Sequence, residues 1–196
     1  MSEDERRIWD DRYSSGEYQP RPAAGPFLED WIERLPAGRA LDVACGAGRH
    51  AMRLAEVGLA VDALDVSTVA IDMARTEAAR GGLDINWVVA DLDHHELPAG
   101  TYNVITVIRY VNRELWPRLI EALAPGGWLL IEHHMKTDAD VDGPSSPEFR
   151  LEPQELLHAF GSLRVLFYEE TITEGDRPGR HHALERLVAV KEGPGW

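Results

Sequence analysis

The stretch Ala40-Leu41-Asp42-Val43-Ala44-Cys45-Gly46-Ala47-Gly48-Arg49-His50 constrains this chain more than any other. The apolar run from Ala40 to Ala44 reads as a buried strand. Two glycines then break it into a turn, and an amphipathic helix is expected from about residue 48. Glycine lets backbone approach a ligand with no Cβ in the way. The helix that follows turns unpaired N–H groups and the positive end of its dipole toward the same turn. Strand, glycine turn and helix N-terminus in that order form a nucleotide-site element of an open α/β sheet.

The rest of the chain repeats the pattern. A first strand is expected at 39–44 with its helix at 48–57, and a second strand at 60–65. Ser67 is a plausible N-cap for a helix over 68–80, which Gly81-Gly82 stops. Ile85 to Ala90 reads as a third strand ending at Asp91-Leu92-Asp93, and Tyr102 to Ile108 as a fourth. A helix with Leu115, Leu119, Ala122 and Leu123 on its buried stripe then ends at Pro125-Gly126-Gly127. Trp128 to Glu132 is a continuous apolar run, so this fifth strand is buried on both faces. Residues 136–150 form a long polar loop, functional or mobile at that length. A helix over 152–160 and strands over 164–173 and 182–190, joined by a hairpin at 174–180, complete the chain. The pattern defines an α/β fold: a doubly wound, mostly parallel seven-stranded sheet, Rossmann-like, with one antiparallel strand in a C-terminal hairpin. A single domain spans 1–196, with an N-terminal lid or helix segment over 1–36 and a core over 37–196. In the first segment Phe27, Leu28, Trp31, Ile32 and Leu35 predict one helix at 27–35. Trp9 and Tyr13, four apart, read either as one face of a packed helix or as part of a lid.

Charge narrows the partners. The formal net charge is −14, which argues against nucleic acid, whose binding runs on phosphate neutralisation by basic patches, and against an acidic membrane surface. No apolar run is long enough to span a bilayer, and the first residues lack the apolar core of a secretory signal. Cys45 is the only cysteine, so no intramolecular disulfide is possible and a cytoplasmic location is expected. The chain is expected to work as a monomer or homodimer on a small molecule.

The glycine turn is not a dinucleotide fingerprint, since it lacks a third glycine. Instead one acid, Asp42, precedes the turn and another, Asp65, ends the next apolar run. With Ala90-Asp91-Leu92 and Leu123-Ala124-Pro125-Gly126-Gly127, this arrangement resembles the class I S-adenosylmethionine (AdoMet) methyltransferases over essentially the whole chain. Ala44 departs from that family, which usually has glycine there; a slightly tighter turn with the site kept is expected. Within the class the chain looks most like the small tellurite-resistance-type and thiopurine-type enzymes, whose substrates are small molecules, often sulfur or chalcogen compounds.

The resemblance implies AdoMet as cofactor and assigns roles. Asp42 and the backbone around Ala44, Gly46 and Gly48 would hold its methionine end. Asp65 would accept from both ribose hydroxyls, Val66 and Ser67 would flank the adenine, and Asp91 and Leu92 would meet its polar edge. Acceptor contacts are expected from the loops after the fourth and fifth strands: Arg109, Tyr110 and Arg113 on one, His133 and His134 on the other. Arginine beside a sulfonium calls for an anion, so Arg109 or Arg113 is expected to bind an acidic acceptor or the cofactor's carboxylate, unless it pairs internally with Glu132 or Asp91. His133 reads as a base, an acceptor contact or a hydrogen-bonded rim residue. The doublets His94-His95, His133-His134 and His181-His182 do not predict a metal site, because adjacent strand residues face opposite ways. Methyl transfer to a small acceptor (thiol, chalcogen oxyanion or other acid) is the expected activity. A non-catalytic AdoMet sensor or partner subunit is the alternative.

Overall fold

Seven strands join one sheet in the order β3-β2-β1-β4-β5-β7-β6 in this computed structural model, which describes residues 3–174 and 179–192. The strands are β1 Arg39–Val43, β2 Ala60–Asp65, β3 Ile85–Val89, β4 Tyr102–Ile108, β5 Leu123–His134, β6 Arg164–Glu174 and β7 His181–Val190. Strand β1 lies between β2 and β4 and is parallel to both. The order of strand addition therefore reverses at the β1/β4 boundary, and the loops leaving the carboxyl ends of these strands diverge into a crevice. Strand β7 runs antiparallel to β5 and to β6. It is the one reversed strand, as the sequence pattern predicts.

The helices are α1 Glu3–Ser14, α2 Pro26–Glu29, α3 Arg49–Glu56, α4 Thr68–Gly81, α5 Trp116–Ala122 and α6 Glu155–Ala159. Both faces of the sheet are covered. Leu41, Ile105, Leu129 and Leu187 pack in one cluster with Leu119 and Phe160. Ala40, Val61, Ala63 and Leu130 pack in the other with Phe27, Leu54 and Ile71. This double burial is why the central strands read as unbroken apolar runs. Ser67 caps α4 as expected, its hydroxyl accepting the Ala70 N–H at 3.1 Å, and Gly82 ends the helix in the left-handed region at φ 66.

Three expectations need correction. The single helix at 27–35 is instead α2 followed by a 3-10 turn at Ile32–Arg34. So short a segment has little helical stability of its own. Its course is set by packing, with Phe27 and Trp31 both against Phe167 at ring distances of 6.4 and 5.6 Å. The helix before the fifth strand stops at Ala122, and the Pro125-Gly126-Gly127 turn falls inside an irregular start of β5, where the pairing jumps from Tyr102↔Leu123 to Val104↔Trp128. The loop 136–150 is anchored along its length. The Arg113 guanidinium donates to the Glu148 and Arg150 carbonyls, Arg150 donates to the Pro144 carbonyl, and the Asp142 N–H donates to His181 O. Of the expected hairpin at 174–180, residues 175–178 lie outside the described residues. No described helix is long and apolar enough to cross a membrane.

Candidate functional site

Strand β1 ends at Val43, and the chain then bends through Ala44 at φ 53 and Gly46 at φ 56 before Gly48, at φ 82, starts α3. Ala44 thus adopts the left-handed conformation, which costs an L residue about 1–2 kcal/mol. The two glycines answer different demands. A Cβ on Gly48 would lie 2.3 Å from the Trp87 ring, so this glycine lets the turn pack on β3. A Cβ on Gly46 would meet the Tyr13 hydroxyl at 2.5 Å, inside the crevice.

Asp65, at the end of β2, ties its strand to this turn. Its Oδ2 accepts the Gly46 N–H at 2.7 Å and its Oδ1 the Ser67 N–H at 2.9 Å. Burial raises its pKa above the usual carboxylate range, while those N–H groups oppose the rise. Asp42 lies deeper. Its Oδ1 accepts from the hydroxyl of Thr106, its register partner on β4, at 2.8 Å. Its buried Oδ2 makes no hydrogen bond among the described residues. Burial pushes the Asp42 pKa up to about 7, against the Thr106 hydroxyl, the nearby Ala51 N–H and the Arg49 charge.

Helix α1 covers the crevice. Trp9, Tyr13 and Tyr18 cluster with centroids 5.1–6.2 Å apart, Tyr18 edge-on to the other two, and all three line the cavity. The helix is latched from its other side. Asp10 Oδ1 accepts from the Ser67 hydroxyl at 2.6 Å and the Val69 N–H at 3.1 Å, and Arg6 donates to the Val66 carbonyl. Asp10 therefore supplies a carboxylate to the N-terminus of α4, where the helix dipole favours one.

The cavity, about 270 Å³, runs from this aromatic cover past the glycine turn to a cationic end. Arg21, Arg49, Arg109, His134 and His182 all share its wall, Arg49 directly after the Gly48 of the turn. Arg109 follows β4 in the left-handed region at φ 66. Its Nε donates to Glu132 at 2.9 Å and its Nη1 to His134 Nε2 at 2.9 Å, while Glu132 also accepts from Arg186 at 2.6 Å. Burial and the repulsion of Arg21 and Arg109 lower the Arg49 pKa. Burial and Arg109 hold His134 neutral. Cationic side chains thus converge on a cavity whose wall carries one carboxylate, Asp65.

Ala44, Gly46, Gly48, Asp65, Val66, Arg109 and Tyr110 meet on this cavity wall. Asp42 lies behind it. Asp91 and Leu92 are outside it: the Asp91 carboxylate folds back on its own turn, accepting the Asp93 N–H at 3.0 Å and pairing with His94 at 2.8 Å, and Leu92 is fully buried in the core. His133 is also displaced. It shares the face of β5 that carries Ile131 and contacts the Phe149 carbonyl through Nε2 at 2.8 Å, whereas its neighbour His134, one residue on and so on the opposite face, meets the cavity. Arg113 faces Glu155 and the 147–150 backbone instead. The site includes residues that sequence reasoning did not assign: Tyr18, Arg21, Arg49, His50 and His182. Arg49 carried a signal, since a cation in the first turn of a helix opposes the dipole unless an anion is near. Arg21, among prolines, carried none, and His182 stood out only as one of the histidine doublets. Among the described residues no group of three or more acids, histidines or cysteines is placed to hold a metal.

The sheet order, the crevice at the β1/β4 boundary and the acid-tethered glycine turn define the fold shared by AdoMet-dependent methyltransferases. Residues 40–127 match the model of a family described as a methyltransferase domain. The ubiquinone biosynthesis O-methyltransferase of Erwinia tasmaniensis is 30% identical over 131 residues, 62% of this chain and 53% of that protein. The chain spans about half the length of the curated relatives it matches. Among solved structures, TehB from Haemophilus influenzae superposes with a TM-score of 0.75 at 23% identity, over 94% of this chain and 67% of TehB. The [4+2]-cyclase SpnF superposes equally well, with a TM-score of 0.75 at 17% identity over 95% and 94% of the two chains. At such identities these likenesses establish the fold, and the chemistry rests on the site.

Proposed function

We propose that this chain is an AdoMet-dependent methyltransferase acting on a small acidic acceptor, of the kind handled by tellurite-resistance-type and thiopurine-type enzymes. The observation that carries the reading is one continuous cavity with two chemically distinct ends. A carboxylate-tethered glycine turn stands at one end, with Asp42 buried behind it and Arg49 directly after it, and Arg21 and Arg109 stand at the other.

The first end fits AdoMet. The carboxylate of Asp42, buried behind this wall, supplies negative charge on the side that would face the ammonium of a methionine moiety. Gly46, with no side chain, lets the Tyr13 hydroxyl close onto the turn and leaves its backbone on the cavity wall within reach of a ligand. Asp65 keeps lone pairs beyond its two backbone donors, enough to accept from ribose hydroxyls. Trp9, Tyr13 and Tyr18 exclude water from above. Asp91 and Leu92 lie outside the wall and add nothing to this fit.

AdoMet supplies an electrophilic methyl group on a sulfonium, displaced in line as the sulfur leaves neutral, so the protein's part is to hold the nucleophile close and aligned. The arginines do this for an acid. Arg109 is preorganised by Glu132 and so loses little freedom on binding an anion. A methyl-release screen over thiols, phenols, carboxylates, tellurite and selenite tests the reading, with calorimetry against AdoMet, its demethylated product and NAD. AdoMet binding with transfer to an anionic acceptor is the expected result. Preference for NAD, or transfer only to neutral acceptors, would contradict it.

A further inference from the structure

The histidines around the cavity are distinguished by what their ring nitrogens already do. His50 Nε2 accepts the Gly25 N–H at 3.1 Å. His134 Nε2 faces a guanidinium nitrogen of Arg109, which can only donate, so its lone pair is engaged. His133 lies on the opposite face. His182 differs from all three. Its Nδ1 lies 3.4 Å from the Asp142 carbonyl oxygen, which can only accept and so favours the proton on Nδ1, and among the described residues no hydrogen bond engages Nε2. Its ring also lines the cavity and stands edge-on to His134, centroids 5.1 Å apart.

The loop that follows β5 holds this arrangement. The Asp142 N–H donates to the His181 carbonyl at 2.8 Å, and Asp142 bridges to His182 as an isolated strand pair. The Asp142 carboxylate pairs with Arg180. The backbone carbonyl that orients the imidazole is thus fixed by its own hydrogen bonds and not by an adaptable side chain.

We propose that His182 is the general base of the acceptor end, set in the Nδ1–H tautomer by the Asp142 carbonyl. The acceptor is then a small acid carrying a second group, a phenol hydroxyl or thiol, that is still protonated at neutral pH. This rests on the methyltransferase reading above. The acid binds the arginines, and the O–H or S–H proton passes to Nε2 as that bond's electron pair forms the new bond to the methyl carbon. The methyl–sulfur bond breaks with its pair remaining on sulfur, and the imidazolium then returns its proton to solvent. The groups that face His182 are Arg109 after β4, Arg21 from the N-terminal segment, His134 on β5 and Asp142 on the loop. Burial, then Arg109, lower the His182 pKa, so the ring is neutral and ready as a base at pH 7.

The experiment combines imidazole nitrogen NMR of the whole chain with methyl transfer from AdoMet to 3,4-dihydroxybenzoate and 2-mercaptobenzoate. The expected spectrum at pH 7 shows His182 neutral with its proton on Nδ1. His182→Gln is expected to lower kcat about 100-fold or more on both acids, to keep AdoMet affinity within twofold, and to flatten the rise of kcat/KM with pH seen in the wild type. His158→Gln, on α6 and outside the cavity, should stay within twofold of wild type. An Nε2–H tautomer, a charged His182 at pH 7, or a His182→Gln enzyme within threefold of wild type would overturn the proposal. If the wild type binds AdoMet and methylates neither acid nor any acceptor of the wider screen, the methyltransferase reading fails. The imidazole spectrum alone then decides whether His182 is poised as a base.

Discussion

Tyr13 and Gly46 share one volume: a Cβ on Gly46 would stand 2.5 Å from the Tyr13 hydroxyl. The aromatic cover on α1 therefore closes onto the one point of the turn that has no side chain. Gly46→Ala adds both this clash and a strained φ of 56. It is expected to weaken AdoMet binding at least tenfold by calorimetry and to destabilise the fold by about 1–3 kcal/mol in urea unfolding. Wild-type affinity in Gly46→Ala would show that the turn does not approach the ligand.

Asp42 titrates near neutrality in the folded chain, at about 7, against about 3.9 when unfolded. Because the folded pKa is the higher one, this group's stabilising contribution is complete below about pH 4 and declines as pH rises to about 7, by up to roughly 4 kcal/mol. Asp42→Asn keeps the acceptor for Thr106 and cannot ionise. Relative to wild type it should gain stability across that pH range, measured by denaturant unfolding at pH 4 and pH 8. The ammonium of bound AdoMet beside Asp42 would draw the proton off. Calorimetry at pH 7 in buffers of differing ionisation enthalpy should then detect net proton release in the wild type and none in Asp42→Asn.

Ala44 holds a φ of 53 where the resembling family has glycine. Ala44→Gly removes the steric cost of that conformation, about 1–2 kcal/mol, and adds the backbone entropy cost of glycine, about 0.5–1 kcal/mol. A net change between zero and about 1.5 kcal/mol of stabilisation is expected in thermal unfolding, with AdoMet affinity unchanged. Marked destabilisation would mean that the Ala44 methyl is a packing contact in its own right.

Asp10 latches α1 by capping α4 through Ser67 and Val69. Loss of such a cap costs about 1 kcal/mol, concentrated here on the cover. Asp10→Ala should accelerate limited proteolysis within residues 3–14 and weaken AdoMet binding while the core strands keep their amide protection. Equal protease resistance in variant and wild type would remove the latch.

Much of the fold was legible because local signals and burial agree. Strands buried on both faces read as apolar runs, Ser67 and Gly82 bracket α4, and the reversed β7 follows a turn-rich stretch. At the site, Gly46, Gly48 and Asp65 were legible because a glycine turn and a strand-end acid have few other local reasons to occur together. The misplacement of His133 had a specific cause. The sequence reading ends the fifth strand at Glu132, whereas β5 runs on to His134, so the two histidines read as loop residues lie on the strand and face opposite ways. The helix expected at 27–35 failed because periodicity reports which residues are buried, and that short segment is shaped by Phe167 and Trp128 across the chain.

The sequence by itself determined the sheet, its one reversed strand and the glycine turn, since these depend on side-chain periodicity and backbone freedom over stretches of a few residues, whereas the bond from Asp65 to Gly46 joins segments distant along the chain. Only the tertiary structure decided which cations face the cavity. Arg21, Arg49, Arg109 and His182 come from four separate segments, and no pattern along the chain records that their side chains converge. Which histidine keeps a usable lone pair was likewise settled by Arg109 and Asp142, groups distant in sequence from the rings they engage.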